Sequence, residues 1–223
     1  MRKIFCLLLC LCMLSLPVRA SDTPKYVALT FDDGPSGRFT RTLLEGLEQR
    51  NTPATFFLCG YRIREYSQTA ELIFDSPHEI GLHGYSHQYM DRMDARTVAA
   101  EILDTLSLLP EDRRPRFLRP PGGLTGPELL EAARNAELSV LNWSLDTRDW
   151  EITDANAIVQ KVLTEIRPGD VILMHDMSDS SVEAALTLID RLTQKGYTFL
   201  TVSELAAAEG LDPKAGTIYC RFS

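Results

Sequence analysis

From Tyr26 onward, short apolar runs alternate with stretches of helical periodicity. Tyr26 to Phe31 predicts a first strand, and Thr40 to Arg50 follows with leucines at 43, 44 and 47, the spacing of one helix face. Ala54 to Leu58 predicts a second strand and Tyr66 to Phe74 a helical segment. Glu79 to His83 predicts a third strand, then a helix over Ala95 to Leu109 whose apolar face is Val98, Ile102, Leu106 and Leu109. Arg116 to Arg119 reads as a fourth strand, and Pro127 suits the first turn of a helix running to about Asn135. Ser139 to Ser144 is expected as strand five, a helix capped by Thr153 or Asp154 runs through Glu165, and Asp170 to His175 is strand six. Val182 to Gln194 predicts a helix and Tyr197 to Thr201 strand seven. Ser203 is expected to cap a last helix that Gly210 ends.

Strands alternating with helices of this length pair in parallel through right-handed crossovers, which leaves an open doubly wound sheet or a closed barrel, each a single domain. Seven units fall one short of the eight-stranded barrel, so a barrel with a gap or split is expected. In either architecture chemistry gathers at the carboxyl ends of the strands.

The chain's 223 residues are enough for one large core, and the ordinary globular composition speaks against disorder. Arg2-Lys3, the apolar run from Ile4 to Val18, and Arg19-Ala20 fit a secretory leader, with Val18 and Ala20 at the small-residue positions of the cleavage site. The run is short for a membrane span, which needs about 20 residues. A signal peptide over residues 1–20 and a single mature domain over 21–223 are therefore expected, with the mature protein extracytoplasmic, in the cell wall or periplasmic space or secreted. Cleavage removes three cations and no acid, taking the net charge from -8 to -11. Such an acidic protein is a poor partner for nucleic acid or anionic lipid, and no membrane association and a monomer are expected after cleavage. Of five cysteines, Cys6, Cys10 and Cys12 leave with the leader; Cys59 and Cys220 can form one disulfide or stay free.

Candidate chemistry sits at the predicted strand ends. Asp32 and Asp33 close the first strand; neighbouring strand side chains point to opposite faces, so the two carboxylates can converge only where strand gives way to turn, and Gly34-Pro35 supplies one. His83 and His87 follow the third strand four residues apart, so a single turn of backbone aims both imidazoles the same way. Two imidazoles and one carboxylate suit zinc or a related divalent ion and leave a position open for water, as catalytic rather than structural sites do. The remaining acid is then placed as a general base, and geometry must decide which acid is which. His175 ends an apolar strand, and Asp149, in Asp146-Thr147-Arg148-Asp149-Trp150, can orient and charge its ring. Arg119 ends the fourth strand, where a guanidinium can hold a carboxylate ionised, and Gly122 beyond it can offer a bare backbone N–H.

Together these residues resemble the polysaccharide deacetylase family (carbohydrate esterase family 4). Thr30-Phe31-Asp32-Asp33-Gly34 resembles its first motif, His83 to His87 its His-x-x-x-His motif, Arg119-Pro120-Pro121 its arginine-proline motif, Asp146 to Trp150 its Asp-x-x-Asp-Trp motif, and Leu173-Met174-His175 its Leu-x-His motif. The resemblance spans Tyr26 to Thr201 and implies a distorted (β/α) barrel of about seven parallel strands. It implies Asp33, His83 and His87 as ligands of a divalent metal, zinc first with cobalt or another divalent ion as alternatives. Asp32 would be the base and His175 the acid, tuned by Arg119 and Asp149 respectively, with Gly122 near the oxyanion and Leu173 and Trp150 against the acetyl methyl. The implied reaction removes acetate from N-acetylglucosamine-type residues of an acetylated polysaccharide or oligosaccharide, peptidoglycan or chitooligosaccharide. Two positions depart from the pattern. Gly84 stands where the family usually has Ser or Thr, which predicts a missing brace on the ligand loop; Gly122 stands where it usually has Tyr or Phe, which predicts a lost aromatic wall and altered substrate preference. Rival expectations are a non-catalytic binder of acetylated glycans and a metal-dependent hydrolase of small amides.

Overall fold

The computed structural model describes residues 24–222, and the expected leader lies outside them. Along the chain stand β1 (Lys25–Gly34), α1 (Arg38–Gln49), β2 (Thr55–Leu58), α2 (Gly60–Glu65), α3 (Ser67–Phe74), β3 (Glu79–Leu82), α4 (Ala95–Leu106), β4 (Phe117–Leu118), α5 (Pro127–Asn135), β5 (Ser139–Leu141), β6 (Leu145–Asp146), α6 (Ala155–Glu165), β7 (Val171–His175), α7 (Asp179–Gln194), β8 (Tyr197–Leu200), α8 (Val202–Ala208) and β9 (Ile218–Tyr219).

The strands form one sheet in the order β6-β7-β1-β2-β3-β4-β5-β9, with β8 paired to the first half of β1, and every ladder is parallel. Strand alternation sorts the apolar residues into two sets. Val27, Leu29, Phe31, Phe56 and Leu58 face outward beneath α1, α3, α6 and α7. Leu82, Leu118 and Val140 face outward beneath α4 and α5. Ala28, Phe57, Phe117, Leu141 and Val171 face inward and meet Val202, Leu205 and Ala206 of α8 and Phe222, which plug the amino-terminal end. The core of a distorted barrel is therefore layered: Thr30 and Arg119 are fully buried above the apolar plug, and at the opposite end Thr55 and Glu79 tie the first residues of β2 and β3 to α8.

Several elements differ from expectation. The expected fifth strand breaks at Asn142-Trp143-Ser144: Val140 and Leu141 pair with β9, whereas Leu145 and Asp146 pair with β7. One segment thus crosses from one edge of the sheet to the other and closes the barrel, and β9, with the Asp170–Arg221 bridge below it, fills the seam. The helical stretch before β3 is two helices, interrupted at Tyr66. Helix α7 begins at Asp179, capped by Ser178. The last helix is capped by Thr201 rather than Ser203, through a capping box in which Thr201 and Glu204 satisfy each other's backbone N–H groups. Ser203 instead donates to Glu79. Cys59 is buried, Cys220 is exposed, and both are free thiols.

Candidate metal and acid-base site

The two acids of β1 converge through a bulge, not through the Gly-Pro turn. Phe31 pairs with Phe56 and Gly34 with Leu58, so three steps on β1 oppose two on β2. Asp33 absorbs the extra residue with a left-handed φ of 70°, a conformation aspartate tolerates better than most side chains, and this turns its carboxylate to the same side as that of Asp32.

Asp33 Oδ1 stands 3.2 Å from His83 Nε2 and 2.9 Å from His87 Nε2. The oxygen is buried, yet it has no hydrogen-bond partner of acceptable geometry. Ligand atoms each about 2.0–2.2 Å from a shared tetrahedral ion lie roughly 3.3–3.6 Å apart; the His83 distance is near that range and the His87 distance shorter, and it is the orphaned state of this buried oxygen that fits common coordination. His83 Nδ1 lies 2.7 Å from the Arg119 carbonyl, so Nδ1–H donates and Nε2 keeps its lone pair for a metal, the usual outer support of a ligating imidazole. Asp33, His83 and His87 are the one group among the described residues whose donor atoms could enclose an ion. Burial pushes the Asp33 carboxyl up, but the two imidazoles outweigh it and hold it well below the ordinary range.

Geometry separates the roles of the two acids. Asp32 Oδ1 accepts from Arg119 Nη1 at 2.7 Å, while Oδ2 lies 3.8 Å from His83 Nε2, just outside the ligand group. Arg119, with no exposure, also donates to Thr30 Oγ1 and to the carbonyls of Leu141 and Asn142, and its guanidinium lies 4.1 Å over the Phe57 ring. Across the β1–β7 ladder, Asp32 is register partner to His175. His175 Nδ1 is 2.8 Å from Asp149 Oδ1, and its backbone N–H donates to Asp149 Oδ2 at 2.8 Å. Burial pulls the His175 imidazole down, but Asp149, with smaller contributions from Asp32 and Asp33, raises it to about 9. One rim thus carries a group that could hold a metal ion, a carboxylate locked by arginine, and an imidazole charged by a buried aspartate.

The other expected site residues are less tightly engaged. Leu173 is buried as register partner of Thr30, two residues below His175. Trp150 is 62% exposed. Gly122 lies in a short 3-10 turn with φ of 67°, and a β-carbon there would come within 3.0 Å of Tyr89 Cε1. An aromatic side chain therefore lies against Gly122 from another loop, although residue 122 itself brings none.

Two residues that sequence reasoning did not single out belong to this rim. Asp176, fully buried, accepts from Thr40 Oγ1 and sets its carboxylate against Gly34; burial raises its carboxyl to about 6, against the hydrogen bond from Thr40. Glu101 accepts hydrogen bonds from the loop between the two histidines. The expectation of an unbraced loop at Gly84 is thus corrected: the brace comes from α4.

A profile of the family described as polysaccharide deacetylase matches residues 19–141. The chain is 34% identical over 197 residues to peptidoglycan-N-acetylmuramic acid deacetylase PdaC of Bacillus subtilis, covering 86% of this chain and 42% of that protein. It is 33% identical over 190 residues to a peptidoglycan-N-acetylglucosamine deacetylase of Bacillus cereus, covering 82% and 89% of the two. A solved family 4 acetyl xylan esterase from Clostridium thermocellum in complex with a cobalt ion is similar at a TM-score of 0.80 and 32% identity, over 88% of this chain and 98% of that one. The chain spans about two fifths of the length of the first curated relatives it matches.

Proposed function

This chain belongs to the polysaccharide deacetylase family, and from that premise we propose that it is an extracytoplasmic, metal-dependent N-deacetylase. It hydrolyses the acetamide of N-acetylglucosamine-type residues in peptidoglycan or chitooligosaccharide and releases acetate. The observation that carries the reading is one buried oxygen, Asp33 Oδ1, shared between two imidazole nitrogens while Asp32 and His175 face each other in register beside it.

Asp33, His83 and His87 would hold the ion, zinc or another divalent cation such as cobalt, which when bound supplies a Lewis acid that makes water acidic and polarises the acetyl carbonyl. The residues do the rest. Asp32 receives the proton of the attacking water through Oδ2, because Arg119 occupies Oδ1 and fixes the plane of the carboxylate. His175, charged below about pH 9, gives its Nε2 proton to the departing sugar amine as the carbon–nitrogen bond breaks. Asp149 holds that ring by Nδ1 and keeps it charged. A backbone N–H at Gly122 faces the oxyanion, and Leu173 with Trp150 receives the acetyl methyl. Residues 21–223 form the catalytic domain and residues 1–20 direct export. Among the described residues no helix is long and apolar enough to cross a membrane.

Likeness to an acetyl xylan esterase favours a second reading, removal of O-acetyl groups by the same rim. Acetate release separates the two. Chelated and metal-restored protein is incubated with acetylated chitooligosaccharides, peptidoglycan, acetylated xylooligosaccharides and small amides. Metal-restored release from the first two supports the proposal, and release from the xylan substrate alone supports the ester reading. Turnover of small amides alone, or no release at all, refutes both.

A further inference from the structure

Residues 84–86 join the two candidate ligands, and this loop is gripped from both sides. On one side the first N–H groups of α2 reach its carbonyls, Gly60 donating to Gly84 O at 3.0 Å and Tyr61 to Tyr85 O at 2.9 Å. On the other, the carboxylate of Glu101 on α4 gathers its donors: Oε2 accepts from the N–H of Tyr85 at 2.7 Å and of Ser86 at 2.8 Å, and Oε1 accepts from Ser86 Oγ at 2.6 Å. Three short donors converging on one carboxylate make a charge-assisted cradle, roughly twice as strong per bond as neutral contacts. The loop has little stiffness of its own. Gly84 sits at φ 75° and His87 at φ 62°, so its course is not helical, and a β-carbon at Gly84 would collide with Met90 Cε at 2.4 Å and approach Glu101 Oε2 at 3.1 Å.

His83 is anchored independently, by its place at the end of β3 and by Nδ1 donation to the Arg119 carbonyl. His87 lies on the far side of the loop, half exposed, and its distance from His83 depends on how residues 84–86 are held. We propose that Glu101 is the positioning residue of the metal site, fixing the spacing of the two imidazoles through the backbone of the ligand loop. The inference rests on His83 and His87 being metal ligands.

Cobalt titration of metal-stripped protein, followed by calorimetry and the visible absorption of bound Co(II), tests this without reference to catalysis. Glu101→Ala is expected to weaken cobalt binding roughly 10–100-fold and alter the absorption bands, the size typical for loss of an outer-shell support. Glu101→Gln, whose single amide oxygen can still accept both backbone N–H groups while its NH2 faces Ser86 Oγ, is expected to stay within about threefold of wild type. Ser86→Ala, which removes one bond of three, provides a milder variant if Glu101→Ala does not fold and is expected to weaken binding by about twofold to fivefold. Wild-type affinity and spectrum in Glu101→Ala, or in Ser86→Ala when the former does not fold, overturn the inference even if melting temperature falls. Failure of the wild-type protein itself to bind cobalt overturns the ligand reading, and this inference with it.

Discussion

Asp149→Asn keeps the shape of the residue behind His175 and removes only its charge. In the wild type Asp149 holds the imidazole by Nδ1 at 2.8 Å and raises it to about 9 against the downward pull of burial. Without the carboxylate, burial is opposed only by the more distant Asp32 and Asp33, and the value falls to the ordinary 6.5 or below. That difference is worth about 3 kcal/mol. At pH 8 the protonated fraction drops from about nine-tenths to about 3%, so deacetylation is expected to fall roughly 30-fold at that pH through loss of the acid alone. Its sign is distinctive: the alkaline limb of kcat/KM moves to lower pH, and activity recovers as pH falls. A bound cation lowers the imidazole in both proteins, so the shift between the two profiles is the quantity to read. Acetate release at saturating metal from pH 5 to 10, with NMR titration of the His175 ring, supplies it. An alkaline limb that stays in place in Asp149→Asn refutes the assignment of His175 as the acid.

Arg119→Met removes the donors to Thr30, Asp32, Leu141 and Asn142 and leaves a buried carboxylate unpaired, so a loss of about 3–5 kcal/mol is expected in chemical denaturation. A loss under about 1 kcal/mol would contradict the buried pairing. Asp176 carries a folded value of about 6 against an ordinary 3.8, so the folded state holds the proton more tightly. The stability this confers is fully present below 3.8 and is lost as pH rises through about 6, some 3 kcal/mol in all, and Asp176→Asn is expected to flatten the stability profile between those values. Denaturation midpoints measured from pH 4 to 7 check it; parallel profiles would show that Asp176 titrates normally.

Strand alternation and the rule that chemistry gathers at strand ends make the rim legible in the sequence. Asp32, His83, Arg119, Asp149 and His175 lie on or within three residues after strands of one parallel sheet, and parallel pairing brings those carboxyl ends to one rim. The bulge was not legible: Asp32 to Pro35 reads as a strand giving way to a turn, and the extra residue shows only in the pairing of Gly34 with Leu58. Nor was Glu101, which stands one position from the apolar Ile102 on α4 and reads as an ordinary exposed helix charge until the ligand loop folds over it. Two misses did have signals. Asn142 and Ser144 interrupt the apolar run where the fifth segment crosses the barrel seam, and Thr201-x-x-Glu204 is a capping box that outranks Ser203. Tyr89 had none, because its contact with Gly122 is made between loops distant in sequence.

Anomalous diffraction from crystals of the cobalt- or zinc-loaded protein is the most direct measurement of the account. It should place a single peak within bonding distance of Asp33 Oδ1, His83 Nε2 and His87 Nε2, with Asp32 outside the coordination shell and still paired to Arg119. A peak that includes Asp32 among the ligands, or that lies away from the two imidazoles, would contradict the assignment of one aspartate to the metal and the other to the proton.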